Sequence, residues 1–405
     1  MPCGIVSLFA LLLTGSNRKG QENQVKKILV LANRDFVLYN FRFELLERLI
    51  SEQYEVYICL PYGEKVDKMT AVGCKFIPIE IDKRGKNPFK DFTLICSYYR
   101  ILGQIKPDMI LMYTTKVDIY AGIVAGRMGL PYLMNVSGLG TAVENKSMIQ
   151  KLVIVLYRTA ARHADCLFFQ NVENQNFFRK HHMCRGKCKL IPGSGVNLTR
   201  WNLMDYPEDS EGVEFLFIAR IIKEKGIEEY LAAAKQIKAE YSNAVFHVLG
   251  PCDGDYKSML EAYEKEGIIK YHGMVEDTRP YLQCAHCTIH PSYYPEGISN
   301  VLLESAACGK PVITTDRSGC RDVVEDGVTG FVCEQRNKEQ LTACVRKFML
   351  MDNGERRKMG LAGRRKVERE FDREIVTEAY MEEIAGGLQE NHQEPENADP
   401  DHAGA

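Results

Sequence analysis

Long apolar runs, net charge and regularly paired cysteines are all scarce in this sequence. No stretch reaches the ~20 consecutive apolar residues that a membrane-crossing helix needs. The apolar residues 4–13 are too few to cross and have no basic segment before them. Contact with a membrane, if made, is therefore expected to be peripheral. A formal net charge of −2 excludes a uniformly basic protein, and no nucleic-acid partner is expected. Cysteine is present 14 times, but irregularly, and Cys59, Cys96, Cys166 and Cys308 lie in apolar runs. Such residues behave as small buried hydrophobes in a reducing compartment, so no disulfide is expected. Cys284 and Cys287 with His290, and Cys184 and Cys188 with His181 and His182, lack the two well-spaced pairs of a structural zinc site. No metal is expected there.

With 405 residues the chain exceeds the size of one ordinary core, and 45% hydrophobic with 26% charged residues marks a globular protein. The small net charge conceals an asymmetry: residues 1–200 carry 28 basic against 16 acidic side chains, the remainder 24 against 38. A basic first half taken alone suits an anionic partner, meaning phosphate, nucleic acid or the lipid headgroups of an inner leaflet. Residues 1–25 read as a disordered leader, 26–200 as a first domain and 201–386 as a second. Residues 387–405 are polar, acidic and proline-bearing, and read as a disordered tail.

Within both domains short apolar runs alternate with helical stretches. KKILVLAN, EVYICLP, KFIPIEI, DMILMY, PYLMNVS, CLFFQN and KLIPGSGVN lead through the first; VEFLFIAR, AVFHVLG, IIKYHGMV, CTIHPS, PVITT and GFVCE through the second. Strands separated by helices pair in parallel through right-handed crossovers. The fold class expected is α/β, with two Rossmann-like, doubly wound domains facing a central cleft at the strands' carboxyl ends. The terminal helix is expected to pack back onto the first domain.

The segment 291–311 places Glu296 in a loop and Glu304 inside the following helix, bracketing that helix's amino end. Free N–H groups there favour a phosphate or a sugar oxygen, and carboxylates accept from sugar hydroxyls. Alone, the two acids describe an ordinary loop and helix surface. The second cluster raises them above that: Arg220 and Lys225, after the first strand of the second domain, stand at the same sheet edge and are able to neutralise a departing diphosphate.

VEFLFIARIIKEKGIEEYL, HPSYYPEGISNVLLESAACGKPVITT and GCRDVVEDGVTGF resemble the family 4 retaining glycosyltransferases of the GT-B fold, over about residues 26–384. Nearest in character are bacterial hexosyl- or N-acetylhexosaminyltransferases that extend undecaprenyl-diphosphate-linked sugars in glycan or capsule assembly. The resemblance implies a catalytic set of Glu296, Arg220 and Lys225, with the two cations on the donor diphosphate. It puts Glu304 on the ribose, and Glu296 with Gly297, Ile298, Ser299, Asn300 and Val301 on the transferred sugar. Val275, in the segment 272–276, frames the base. A UDP-sugar donor, no metal cofactor and no strong protein base follow from the same likeness.

Two departures fall in the first domain. Residues 32–40 replace a glycine-rich loop, and residues 135–140 lack a histidine found in many relatives. Acceptor contacts are expected from Asn33, Arg34, Asn40, Ser137 and Gly138. The D-x-D of Asp253 and Asp255 follows an ordinary turn and is not expected to hold metal. Residues 148–164, with Lys151, Arg158 and Arg162, and the basic Lys83, Arg84, Lys86 and Lys90 suit an anionic inner leaflet. The implied location is cytoplasmic, peripheral on the inner face of the plasma membrane. A nucleotide-sugar epimerase of the same fold and a non-catalytic binding subunit are the alternatives.

Overall fold

The alternating runs form two parallel sheets, one in each half of the chain, in a computed structural model that describes residues 25–82, 88–138, 148–252, 254, 256–295 and 297–390. The first sheet holds β1 (Lys27–Leu31), β2 (Glu55–Leu60), β3 (Lys75–Pro78), β4 (Met109–Tyr113), β5 (Tyr132–Val136), β6 (Cys166–Phe169) and β7 (Lys187–Leu190), in the order 3-2-1-4-5-6-7. The second holds β8 (Val213–Ile218), β9 (Ala244–Leu249), β10 (Lys270–Tyr271), β11 (Cys287–His290), β12 (Val312–Thr315) and β13 (Gly330–Cys333), in the order 10-9-8-11-12-13. Strands β4, β5 and β6 are buried along their whole length. Helices on both faces of a parallel sheet explain why these strands read as unbroken apolar runs. In each sheet the strand order reverses beside its first strand, opening a crevice at the carboxyl ends.

The first sheet has a core on each face. On one side lie Leu94 and Tyr98 of helix Pro88–Ile105, Val117 and Val124 of helix Thr115–Met128, and Tyr157 of helix Met148–Ala160. On the other lie Leu45, Leu46 and Leu49 of helix Phe43–Ser51, joined by Val376, Tyr380, Ile384 and Leu388. These last four come from helix Arg373–Glu390, so the final helix of the chain completes the core of the first domain. Tyr380 stacks on Phe168 at 4.3 Å between centroids, and its hydroxyl accepts from Asn135 Nδ2 at 2.7 Å. Each such side chain contributes ~1.5–3 kcal/mol on burial. The helix runs to Glu390, so residues 387–390 belong to it and not to the disordered tail expected from residue 387. Leu388, one turn beyond Ile384, is buried and extends the apolar stripe into the segment expected to be disordered from its polar composition. The expected leader up to residue 24, and the tail from 391, lie outside the described residues.

The chain leaves the first domain earlier than the boundary expected at residue 200. Ile191 belongs to the first domain's core, whereas Val196 and Trp201 already pack in the second's. At this junction the outgoing and returning chains run side by side: Val196 N–H donates to the Phe371 carbonyl at 2.8 Å and Arg373 N–H to the Val196 carbonyl at 3.1 Å. Gly195 has φ +63, and a Cβ there would lie 2.5 Å from Arg373 Cα, so the crossing needs glycine. Buried Arg373 pins it, donating to both Glu44 carboxylate oxygens at 2.9 and 3.0 Å and to the Gly195 carbonyl at 3.2 Å.

In the second domain, helices Ile227–Glu240 and Lys338–Met349 cover one face of the sheet, and Asn300–Ala307 packs on the other with Asn353–Glu370 against it. Asp352 caps the last of these: its carboxylate accepts from Glu355 N–H at 2.7 Å while Glu355 Oε2 accepts from Asp352 N–H at 3.0 Å. All described cysteines are free. Among the described residues no helix is long and apolar enough to cross a membrane.

Candidate active site

Strand β8 ends at Ile218, and the chain turns sharply through Arg220 to Lys225 before helix Ile227–Glu240 begins. Gly226 makes the turn possible, with φ +78 and no space for a Cβ against the Pro291 carbonyl. The loop after β11 is stitched to the same turn, since Tyr293 N–H donates to the Glu224 carbonyl at 2.9 Å. Tyr294 therefore lies beneath both cations: Arg220 Cζ is 5.7 Å from its ring centroid and Lys225 Nζ 5.2 Å. Sharing one aromatic face, through cation–π attraction, holds two like charges close together. The chain continues from that ring to Ser299, which precedes helix Asn300–Ala307 and makes no side-chain capping bond to it; the first N–H groups of a helix are where an anion binds.

Glu304 projects from this helix into a pocket of about 250 Å³ shared with Val275, Val301, Gly250 and Pro251. Gly250 has φ +142 and meets the Ala219 carbonyl so closely that no side chain fits, which opens the pocket floor. Burial pushes the Glu304 carboxyl up to about 7, against the pull of Arg373 and Arg200. A carboxylate in this state is a strong acceptor for a hydroxyl that replaces its lost water.

A second pocket, of about 210 Å³, lies between the domains. Gly297, Ile298 and Asn300 face Ser137 and Gln170 across it. A Cβ on Gly297 would run into Gln170 Oε1 and the Ser137 carbonyl oxygen, so the donor loop touches the first domain at this point. Gln170 Nε2 donates to Asn135 Oδ1 at 3.3 Å, setting both amides in the wall.

The second-domain residues singled out from the sequence fall into three places: Arg220 and Lys225 at the Tyr294 ring, Val275, Val301 and Glu304 around one pocket, and Gly297, Ile298 and Asn300 on the interdomain pocket, while Glu296 lies outside the described residues. The acceptor set does not come together. Ser137 lines the interdomain pocket, Asn40 lines the Glu304 pocket, and Asn33, Arg34 and Gly138 line neither. Of residues 272–276, Met274, Val275 and Glu276 reach the pocket, while His272 turns away to His247 Nδ1 at 2.9 Å. Asp253 and Asp255 lie outside the described residues, and among those described no group of His, Cys, Asp and Glu is arranged to hold a metal.

Comparison with known proteins supplies the family. The model for glycosyl transferases group 1 matches residues 204–366, and that for glycosyl transferase 4-like proteins matches residues 27–171. The chain belongs to these glycosyltransferases. It is 24% identical over 373 residues, covering 88% of this chain and 97% of the relative, to the N,N'-diacetylbacillosaminyl-diphospho-undecaprenol α-1,3-N-acetylgalactosaminyltransferase of Campylobacter jejuni. It is 30% identical to the capsular polysaccharide biosynthesis glycosyltransferase CapM of Staphylococcus aureus, over 40% of this chain and 43% of that one. Among solved structures, Anabaena HepE in complex with UDP and glucose superposes with a TM-score of 0.73 over 89% of this chain and 100% of that one, at 15% identity.

In this glycosyltransferase several pocket residues carried no sequence signal. Arg42, Tyr113, Thr114, Gln170 and Ser194 line the interdomain pocket, and Arg200 and Trp201 the Glu304 pocket. Thr114 and Gln170 follow β4 and β6 directly, and the carboxyl ends of parallel strands are where ligands bind. Applied strand by strand, that rule finds both. Arg42 has no comparable signal.

Proposed function

We propose that this glycosyltransferase moves a hexose or N-acetylhexosamine, with retention, from a UDP-sugar to a lipid-diphosphate-linked saccharide in bacterial surface-glycan synthesis. The observation that carries the donor side is the placement of Arg220 and Lys225 over one tyrosine ring, beside the start of helix Asn300–Ala307. Two cations and a row of N–H groups stabilise charge that grows on a departing diphosphate, and they do so without a metal. Glu304, one turn deeper, is placed for the ribose hydroxyls of the same nucleotide.

Retention is supported by the interdomain pocket. Its described lining contains hydroxyls, amides and one guanidinium, but no carboxylate or imidazole to serve as a base. The leaving phosphate, on the same face as the acceptor, is then the group that takes the acceptor's proton. A lipid-linked acceptor is supported by the Campylobacter relative, whose acceptor is a diphospho-undecaprenol sugar.

Peripheral membrane contact is supported by the first domain's surface. Helices Pro88–Ile105 and Met148–Ala160 both pack on Thr115–Met128. The first exposes Phe89 at 84% and Phe92 at 66%, the second Met148 at 78%, with Leu152 and Val155 following at helical spacing. Lys90, Arg100, Lys151, Arg158 and Arg162 are exposed on the same two helices or just beyond them. Large apolar side chains ringed by cations suit an anionic leaflet, where each basic residue contributes ~1 kcal/mol. Of the other basic residues expected to join them, Lys83, Arg84 and Lys86 lie outside the described residues.

The experiment is incubation of the purified protein with a panel of UDP-sugars, with and without a lipid-diphosphate monosaccharide. A mass increase of one sugar on the lipid is the expected result. Isomerisation of the donor without acceptor identifies an epimerase, and donor binding without either reaction identifies a binding subunit; each contradicts the proposal.

A further inference from the structure

Among the described residues three arginines are buried to more than nine-tenths, and two of them are paired: Arg356 with Asp209 at 3.0 Å and Arg373 with Glu44 at 2.9 Å. Arg42 is the exception. It is 3% exposed, and among the described residues no carboxylate lies within ion-pair distance of it. Its guanidinium lies over Tyr113 at 4.9 Å and Tyr380 at 5.5 Å, Nη1 donates to the Phe41 carbonyl at 2.5 Å, and Nε has no partner. A buried cation without an anion is a strongly unfavourable arrangement, and it becomes favourable once an anion arrives.

The place such an anion would occupy is the interdomain pocket, whose wall Arg42 forms. Opposite stands Thr114, directly before helix Thr115–Met128, whose fourteen residues present their positive end to the same space. The Thr114 hydroxyl is buried and has no hydrogen-bond partner among the described residues. Thr114 also has φ +84 and ψ 143, a backbone conformation tolerated almost only by glycine, and such strain concentrates at ligand sites. The rest of the polar lining is neutral.

We propose that the first-domain end of this pocket, across from the Gly297 to Asn300 end expected to meet the transferred sugar, seats a phosphoryl group of the acceptor, held by Arg42, the Thr114 hydroxyl and the amino end of helix Thr115–Met128. The inference rests on the lipid-diphosphate acceptor reading above and deepens it. Donor and acceptor phosphates are then held by different domains, the donor's by Arg220 and Lys225, the acceptor's by Arg42. A sugar acceptor without a phosphate loses this seat.

The test is binding, which needs no turnover and so stays readable if the transfer reaction is not found. The protein is first saturated with UDP, which occupies Arg220 and Lys225, and is then titrated calorimetrically with inorganic pyrophosphate and, separately, with glucuronate. One further equivalent of pyrophosphate is expected to bind, at least tenfold more weakly in Arg42→Gln and in Thr114→Gly, with UDP affinity unchanged in both. Thr114→Gly removes the hydroxyl while relieving the backbone, so a loss there does not come from unfolding. Absence of pyrophosphate binding to the UDP-loaded protein, or binding unaltered in the variants that fold, overturns the proposal. Tighter binding of glucuronate than of pyrophosphate also overturns it and assigns the seat to a carboxylate.

Discussion

Replacing Glu304 by glutamine is expected to make the protein more stable and a poorer nucleotide binder at the same time. Burial raises the carboxyl from its ordinary 4.5 to about 7, so the folded state prefers the protonated form. The charge therefore opposes folding: the penalty is absent below about pH 4.5, grows as pH rises, and is complete above pH 7. At ~1.4 kcal/mol per tenfold change in proton affinity, the full penalty is about 3 kcal/mol. Glu304→Gln removes it, so urea unfolding should show a gain approaching ~3 kcal/mol at pH 8 and none at pH 4.5. The same carboxylate is the proposed acceptor for ribose hydroxyls, and a hydrogen bond to a charged group contributes ~1.5–3 kcal/mol. UDP affinity should thus fall roughly ten- to a hundredfold, and wild-type affinity should rise between pH 6 and 8 as the group ionises. Equal stability of the two proteins at pH 8, or unchanged UDP affinity, refutes the reasoning.

Arg220→Ala and Lys225→Ala should each lower kcat by about a hundred- to a thousandfold, the cost of one lost donor to a developing anion; steady-state kinetics with a lipid-diphosphate sugar checks this. Activity should persist in excess EDTA, and a complete loss restored by a divalent cation contradicts the metal-free leaving-group site. The double change Phe92→Asp with Leu152→Asp should release the protein from anionic vesicles in a flotation assay while leaving UDP affinity intact. Gly297→Ala should depress transfer at least tenfold through its clash with Ser137 and Gln170, while UDP affinity, measured by calorimetry, is expected to remain.

Much of this architecture was legible because parallel strands covered on both faces must be apolar throughout. MILMY and VEFLFI announce β4 and β8 in that way, and Gly226 marks where the turn after β8 approaches another backbone. The pairing of Arg220 with Lys225 was legible for a related reason: both follow β8 in one short turn, and local geometry brings them to the same ring. What sequence did not reveal depends on distant contacts. Arg42 becomes a pocket wall only because Tyr380, from the last helix of the chain, packs beside it. The φ of Thr114 has no residue signature, since threonine ordinarily avoids it. Acceptor residues are expected from the segments 32–40 and 135–140, but the pockets are lined by the end of the first helix and by the ends of β4 to β7, so Asn40 and Ser137 each line one pocket while Asn33, Arg34 and Gly138 line neither. The outward stripe of Phe89 and Phe92 has helical spacing, yet which face of a helix meets solvent is decided by the sheet it covers.

The most direct measurement is a crystal structure of the protein with UDP bound. The account predicts ribose hydroxyls within hydrogen-bond distance of the Glu304 carboxylate, and the diphosphate between Arg220, Lys225 and the first N–H groups of helix Asn300–Ala307. A diphosphate seated instead in the first domain, with Arg220 and Lys225 free in solvent, contradicts it.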